Sequence, residues 1–189
     1  MKISSAMIAS TAAAFLMTLT IAQPAAFAAD TKQETAQETK QETEMSEEDM
    51  RAMVEQSMQM WQLAEGISIE DAVDSMKLRA NSLNFKLVAD LPLSEQVKAM
   101  GEESRTMRIL AFCDALIAKK MVEYNKIFAG FLPCRIALVE DENGQGWVVT
   151  MNMDMMLHAV DLPPDLQKLA QQVRDTIYNI VDAGVNGEL

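Results

Sequence analysis

The chain has 189 residues, with 28 acidic and 16 basic side chains and a formal net charge of −12. Such an acidic chain repels nucleic acid and anionic lipid headgroups, and it has no basic patch or Gly-rich phosphate loop to oppose that repulsion. Nucleic-acid and nucleotide functions are excluded on those grounds.

The N-terminus reads as an export signal. Lys2 gives a short basic start, Ala6 to Ala22 form an apolar run, Pro24 breaks any helix, and Ala26-Phe27-Ala28 satisfies the small-x-small cleavage rule. This predicts a signal peptide over 1–28 and a mature chain from Ala29. The run is short for a spanning helix and no cysteine lies at the cut, so the expectation is a periplasmic or secreted protein without a membrane anchor after cleavage. Over 29–45 the triplet Gln-Glu-Thr recurs with almost no apolar residue, which predicts a disordered, acidic and polar linker.

Ser46 offers an N-cap with Glu47, Glu48 and Asp49 in the following turn. Met50, Met53, Val54, Ser57, Trp61 and Ala64 recur at helical spacing, and Gly66 ends the pattern. The spacing predicts a helix over 46–65 with a packing face, either as an extension of the domain or as a dimerisation arm.

Ser68 to Asp71 form a second capping pattern, with Ala72, Val73, Met76, Ala80 and Leu83 on one face of the helix it opens. Phe85 to Ala89 reads as a short strand, and Pro92 with Ser94 opens a short helix that ends at Gly101. Met107 to Cys113 is a continuous apolar run, expected as a central strand. Asp114 caps a helix reaching about Asn125, with Ile117, Met121 and Tyr124 inward. Phe128, Phe131 and Leu132 lead into a third strand, Cys134 to Glu140. The polar turn Asp141 to Gly146 joins it to Trp147–Met151 as a hairpin. A Met-rich helix follows. Pro163-Pro164 then opens the last helix, whose stripe is Leu166, Leu169, Val173, Ile177 and Ile180, with Gly184 as its stop. The expected fold is α+β: a four-stranded sheet with a terminal β-hairpin, helices packed on one face, and an extra N-terminal helix. The domain is placed at 66–184, with a tail over 185–189. A second sheet face left open invites a homodimer.

Three stretches resemble the domain of unknown function 302 family: Arg108 to Asp114, Leu132 to Asp141, and Trp147 to Asn152. The Leu132-Pro133-Cys134 element entering a strand is the most specific piece, and Cys113 ending the preceding strand also fits. Asp114-Ala115 departs from the Asn-Pro of the family pattern. The resemblance covers residues 66 to 184. It implies a small α+β domain, often dimeric, with no established activity.

Cys113 and Cys134 are the only cysteines. A disulfide needs Cα atoms about 5.5 Å apart, whereas a seven-residue strand spans roughly 23 Å. Antiparallel strands place the two at one sheet end, and a parallel crossover places them a strand apart. A disulfide, two reduced thiols and a reactive pair all stay open. The helix N-terminus after Cys113 would depress its pKa, and Asp114 would oppose that. No Cys-x-x-Cys, Ser-His-Asp, His-Glu-x-x-His or zinc-type spacing occurs, so there is no enzyme signature, no cofactor is expected and no metal is assigned. His158 is the single histidine.

Methionine is abundant, at 16 residues. Met151, Met153, Met155 and Met156 cluster beside His158, and Met151 and Met153 continue the alternation of Trp147 and Val149. Sheet packing accounts for them, and with Trp147 they mark a candidate pocket for a small apolar ligand. The function expected is an exported, non-catalytic ligand- or partner-binding accessory protein. The alternative is a thiol-redox or copper(I) protein built on Cys113, Cys134 and the Met151–Met156 cluster.

Overall fold

The computed structural model describes residues 45–188, so the signal peptide and nearly all of the linker expected before the domain lie outside the described residues. In chain order the elements are α1 (Glu47–Gln56), β1 (Met58–Gln62), α2 (Ile69–Ser82), β2 (Lys86–Pro92), α3 (Leu93–Ala99), β3 (Met107–Cys113), α4 (Ala115–Tyr124), a 3-10 turn (Lys126–Phe131), β4 (Cys134–Glu140), β5 (Gly146–Met151), α5 (Met153–Ala159) and α6 (Pro164–Asn186). The strands form one five-stranded sheet in the order β1-β5-β4-β3-β2. Every neighbouring pair is antiparallel.

The caps act where the sequence placed them. Ser46 Oγ accepts from the Asp49 amide, Ser68 and Asp71 exchange the two bonds of a capping box, and Asp114 Oδ1 accepts from the amides of Leu116 and Ile117. Each satisfies amide groups that a helix start leaves without an intrahelical partner.

The main core lies between one sheet face and the α2–α6 pair. Leu110 and Phe112 of β3, Ile136 and Leu138 of β4, and Val148 of β5 meet Val73 and Met76 of α2 and Ile177 and Ile180 of α6. All of these are at most 1% exposed, and burying each large apolar side chain contributes about 1.5–3 kcal/mol. A second cluster joins α4, the 3-10 turn, α5 and the first half of α6 through Ile117, Met121, Phe128, Leu157, Leu166 and Ala170.

Several expectations change. The helix expected over 46–65 ends at Gln56, and Met58–Gln62 is a fifth strand. The residues of β1 fit a period of 3.6 as well as a period of 2, and the open edge of β5 decides between them. Asn152 N donates to Ser57 O at 2.8 Å and Leu63 N donates to Gly146 O at 2.9 Å, tying down both ends of β1. Trp61 then packs edge-on against Tyr178, ring centroids 6.2 Å apart. The β4–β5 hairpin is therefore internal to the sheet rather than at its edge.

Among the described residues the packing face expected on the first helix has no partner: α1 buries no residue, and Met50, Met53 and Val54 are exposed. Tyr124 is also exposed rather than inward, its hydroxyl donating to Asp161 O at 3.2 Å. Gly184 does not stop α6. The helix runs to Asn186 and is capped by Gly187 in the left-handed region, φ 65°. Gly184 sits inside the helix where a Cβ would run into Met76 of α2, so its missing side chain is what lets the two helices approach.

Candidate functional site

The antiparallel β3–β4 pair settles where the cysteines stand. Phe112 pairs with Cys134, so Cys113 and Cys134 occupy the same sheet end, where β5 finishes at Met151 and β1 begins at Met58. Both cysteines are free thiols and half-buried.

That sheet end forms one wall of an apolar pocket with a cavity volume of about 240 Å³. On the sheet side it is lined by Ile109, Cys113, Cys134, Ala137, Val149 and Met151. Facing them are Ile117, Met121, Phe128 and Phe131, brought there by α4 and the 3-10 turn, with Met153 and Val173 from α5 and α6. Leu132 and Pro133, joined by a cis peptide bond, complete the approach to β4. Charge on the wall is sparse. Asp114 and Arg135 supply it, and Asp114 spends one carboxylate oxygen on the α4 cap.

The local sequence explains the shape. Asp114 starts α4 directly after β3, which turns the chain across the sheet end. The apolar run Phe128 to Leu132 cannot remain in water and folds back as a 3-10 turn under α4, burying Phe128. Asn152 opens α5, its side-chain oxygen accepting from Met155 N at 3.0 Å, while Tyr178 Oη accepts from Met153 N at 3.1 Å. Met153 is therefore the first residue of a helix and does not continue the alternation of β5, contrary to the expectation from the sequence.

The site residues read from the sequence divide. Cys113, Cys134, Met151 and Met153 come together on the pocket wall. Trp147 does not: it is the second residue of β5, at the opposite sheet end from Met151, and its indole N–H donates to Asp141 Oδ2 at 2.9 Å. His158 is exposed, with Nδ1 2.7 Å from Asp154 O, and is not on the wall. Met58, Met121 and Phe128 also line the pocket, and no local motif in the sequence marks them as site residues. The surplus of apolar residues in the Phe128–Leu132 connection was the one signal that could have found this wall.

Electrostatics do not activate the thiols. Burial pushes Cys134 up to about 11, with neighbouring Cys113 adding to the effect. Cys113 is also raised, by burial first and by the Asp114 carboxylate second. The depression expected from the helix start after Cys113 is thus outweighed. Among the described residues no three His, Cys, Asp or Glu side chains gather as a metal site, and no helix is long and apolar enough to cross a membrane.

Comparison with known proteins agrees with this architecture. The profile of the family described as "Domain of unknown function DUF302" matches residues 61–184. The chain is similar to a solved structure from Bacillus stearothermophilus described as an uncharacterized conserved protein DUF302. That likeness has a TM-score of 0.55 and 17% identity, and it covers 67% of this chain and 97% of the other. At that identity the likeness speaks for the fold alone. No curated protein matches the chain. On the family match over most of its length, the chain belongs to the DUF302 family.

Proposed function

We propose that the protein is an exported, non-catalytic accessory protein that holds a small apolar ligand in the pocket at the β3–β4–β5 sheet end. The observation that carries this reading is the pocket itself. It is a cavity of about 240 Å³ walled by aromatic, aliphatic and methionine side chains, with little charge on its wall. Such a cavity gains free energy from burying apolar surface, and methionine walls adapt to ligand shape. A non-catalytic role agrees with thiols held protonated by burial and with a histidine that lies off the wall. Export is supported by the apolar Ala6–Ala22 run and the Ala26-Phe27-Ala28 cleavage pattern.

A homodimer belongs to the same proposal. The sheet face opposite α2 and α6 presents Met58, Met60, Ile109, Val139, Val149 and Leu91, and by register and alternation it carries no Asp or Glu. In a chain of net charge −12 this is the surface on which a second copy would meet the least like-charge repulsion. Sedimentation of the mature protein should report a dimer that Met60→Arg, on the same face but off the pocket wall, converts to monomer. A wild-type monomer at micromolar concentration would remove this part.

The test of the ligand reading is titration with N-phenyl-1-naphthylamine, a neutral apolar fluorophore. Saturable binding that Ala137→Trp reduces at least tenfold is expected, because the indole would occupy the cavity. Binding unchanged in a folded Ala137→Trp variant would overturn it.

A further inference from the structure

Helix α1 has ten residues and buries none of them against its own chain. Its apolar stripe of Met50, Met53 and Val54 stands in solvent, at 45%, 47% and 65% exposure. A helix of that length is marginal alone in water, because helices in proteins draw most of their stability from packing an apolar face. The stripe needs a cover that the described residues of one chain do not supply.

The far edge of the sheet has the matching need. β2 ends the order β1-β5-β4-β3-β2, so its outer side has no strand beside it. Val88, at the bulge between Leu87 and Ala89, is exposed there, and so is Leu91. An apolar edge invites unwanted pairing unless a bulge, a charge or a covering element blunts it.

We propose that α1 of one copy docks on the β2 edge of a second copy, so that the two chains exchange their N-terminal helices. The inference rests on the sheet-face dimer proposed above and names the element that completes its rim.

Charge selects this partner. α1 carries Glu47, Glu48, Asp49 and Glu55 against Arg51 alone, and Arg51 already lies 3.8 Å from Glu47. Docking on a second α1 would crowd those carboxylates together. The open sheet face instead presents Lys86 and Arg135, by their pairing with Cys113 and Ala111. Neither makes an ion pair among the described residues. Both lie near the sheet end where β1 begins at Met58 and α1 departs. Asp90, the acid of β2, is held on the other face by Arg108 and Lys77. Asp114, at the same sheet end as Lys86, has Oδ1 committed to the α4 cap.

Symmetry brings the two elements together. A two-fold axis parallel to the strands lays sheet on sheet with like ends together, and it sets β1 of each copy across from β2 of the other. Only Ser57 separates α1 from β1, so each arm is delivered to the partner's β2 edge. A two-fold axis running across the strands would lay β1 over β1 and carry the acidic arms to the sheet end away from Lys86 and Arg135. Charge favours the first arrangement.

Disulfide trapping in the mature protein tests the exchange. Met53→Cys and Val88→Cys are combined in one chain and treated with the thiol oxidant diamide, with each single variant as control. Within one chain the two positions belong to opposite sides of the sheet, whose edges lie roughly 19 Å apart at about 4.8 Å per strand gap. That is too far for an internal disulfide. The native cysteines are half-buried and common to every chain compared. The double variant should form covalent dimer at least tenfold faster than either single variant. Val54→Asp should weaken the dimer at least tenfold in sedimentation while the chain stays folded, because α1 buries nothing of its own chain. A wild-type dimer whose double variant cross-links no faster than the single ones would overturn the exchange and leave the sheet-face dimer standing. Undiminished association of Val54→Asp, or fast cross-linking of Met53→Cys alone, would overturn it in the same way. A wild-type monomer at micromolar concentration removes both.

Discussion

Phe112 of β3 stands opposite Cys134 of β4, and that single register places both cysteines at one end of the sheet beside the pocket. Phe112 is fully buried on the α2–α6 side. Cys113, the next residue along β3, points to the other side of the strand by the alternation of a β-strand. The two thiols therefore frame the sheet end from both faces. Burial keeps both protonated, with the Asp114 carboxylate adding to the effect at Cys113 and the neighbouring Cys113 adding to it at Cys134, the more strongly affected of the two.

Thiol reactivity follows from those shifts. At pH 7 both cysteines should alkylate more slowly than a free thiol, with Cys134 the slower. Since only the thiolate attacks, the Cys134 rate should keep climbing as pH rises toward about 11. Intact mass against time in iodoacetamide at several pH values measures this. Fast double alkylation at pH 7 would contradict it.

The Asp90–Arg108 pair sets an acid limit. Arg108 Nε and Nη2 donate to the two carboxylate oxygens of Asp90, each at 2.7 Å, with Lys77 Nζ 2.8 Å away and Glu70 on the other guanidinium nitrogen. The Arg108 bond is the main cause that lowers Asp90 to about 2 from 3.8. A folded-state pKa below the unfolded one stabilises the fold above the unfolded value, so this contribution is intact above about pH 4 and is lost between about 4 and 2. With the pair partly exposed and screened, it is worth about 1–2 kcal/mol. Asp90→Asn should lower stability at pH 7 by that order and flatten the loss between pH 4 and 2, as urea unfolding at each pH would read. An unchanged acid limb in the variant would count against the pair.

Gly184→Ala should destabilise although alanine is the better helix former by about 1 kcal/mol. The new methyl would run into Cγ as well as the tip of Met76, a fully buried side chain. Overpacking of that kind costs about 1–3 kcal/mol. The expected net loss is about 1 kcal/mol by chemical denaturation, relieved in the double variant with Met76→Ala. A more stable single variant would show that α2 and α6 have room to spare.

Much of this was legible in the sequence wherever local chemistry agreed with packing. Asp114, Ser68 and Ser46 act as caps, the apolar run 107–113 is a central strand, and Ile177 and Ile180 are core. β1 was not legible, because Met58 to Gln62 fits a helical period as well as an alternating one and takes its form from the free edge of β5. Trp147 looked like a pocket residue because it leads an apolar strand, yet leading β5 puts it at the sheet end away from the cavity. The direction of β4 relative to β3, which no local pattern encodes, decided the meaning of both cysteines.

The most direct test of the account is methyl NMR of the mature protein labelled at its methionine methyls and titrated with N-phenyl-1-naphthylamine. Met58, Met121, Met151, Met153 and Met156 line the pocket, while Met50, Met53 and Met100 are exposed and off its wall. Saturable shifts confined to the first group are expected, with Ala137→Trp suppressing them. Shifts confined to Met50 and Met53 of α1, or no saturable shifts, would contradict it.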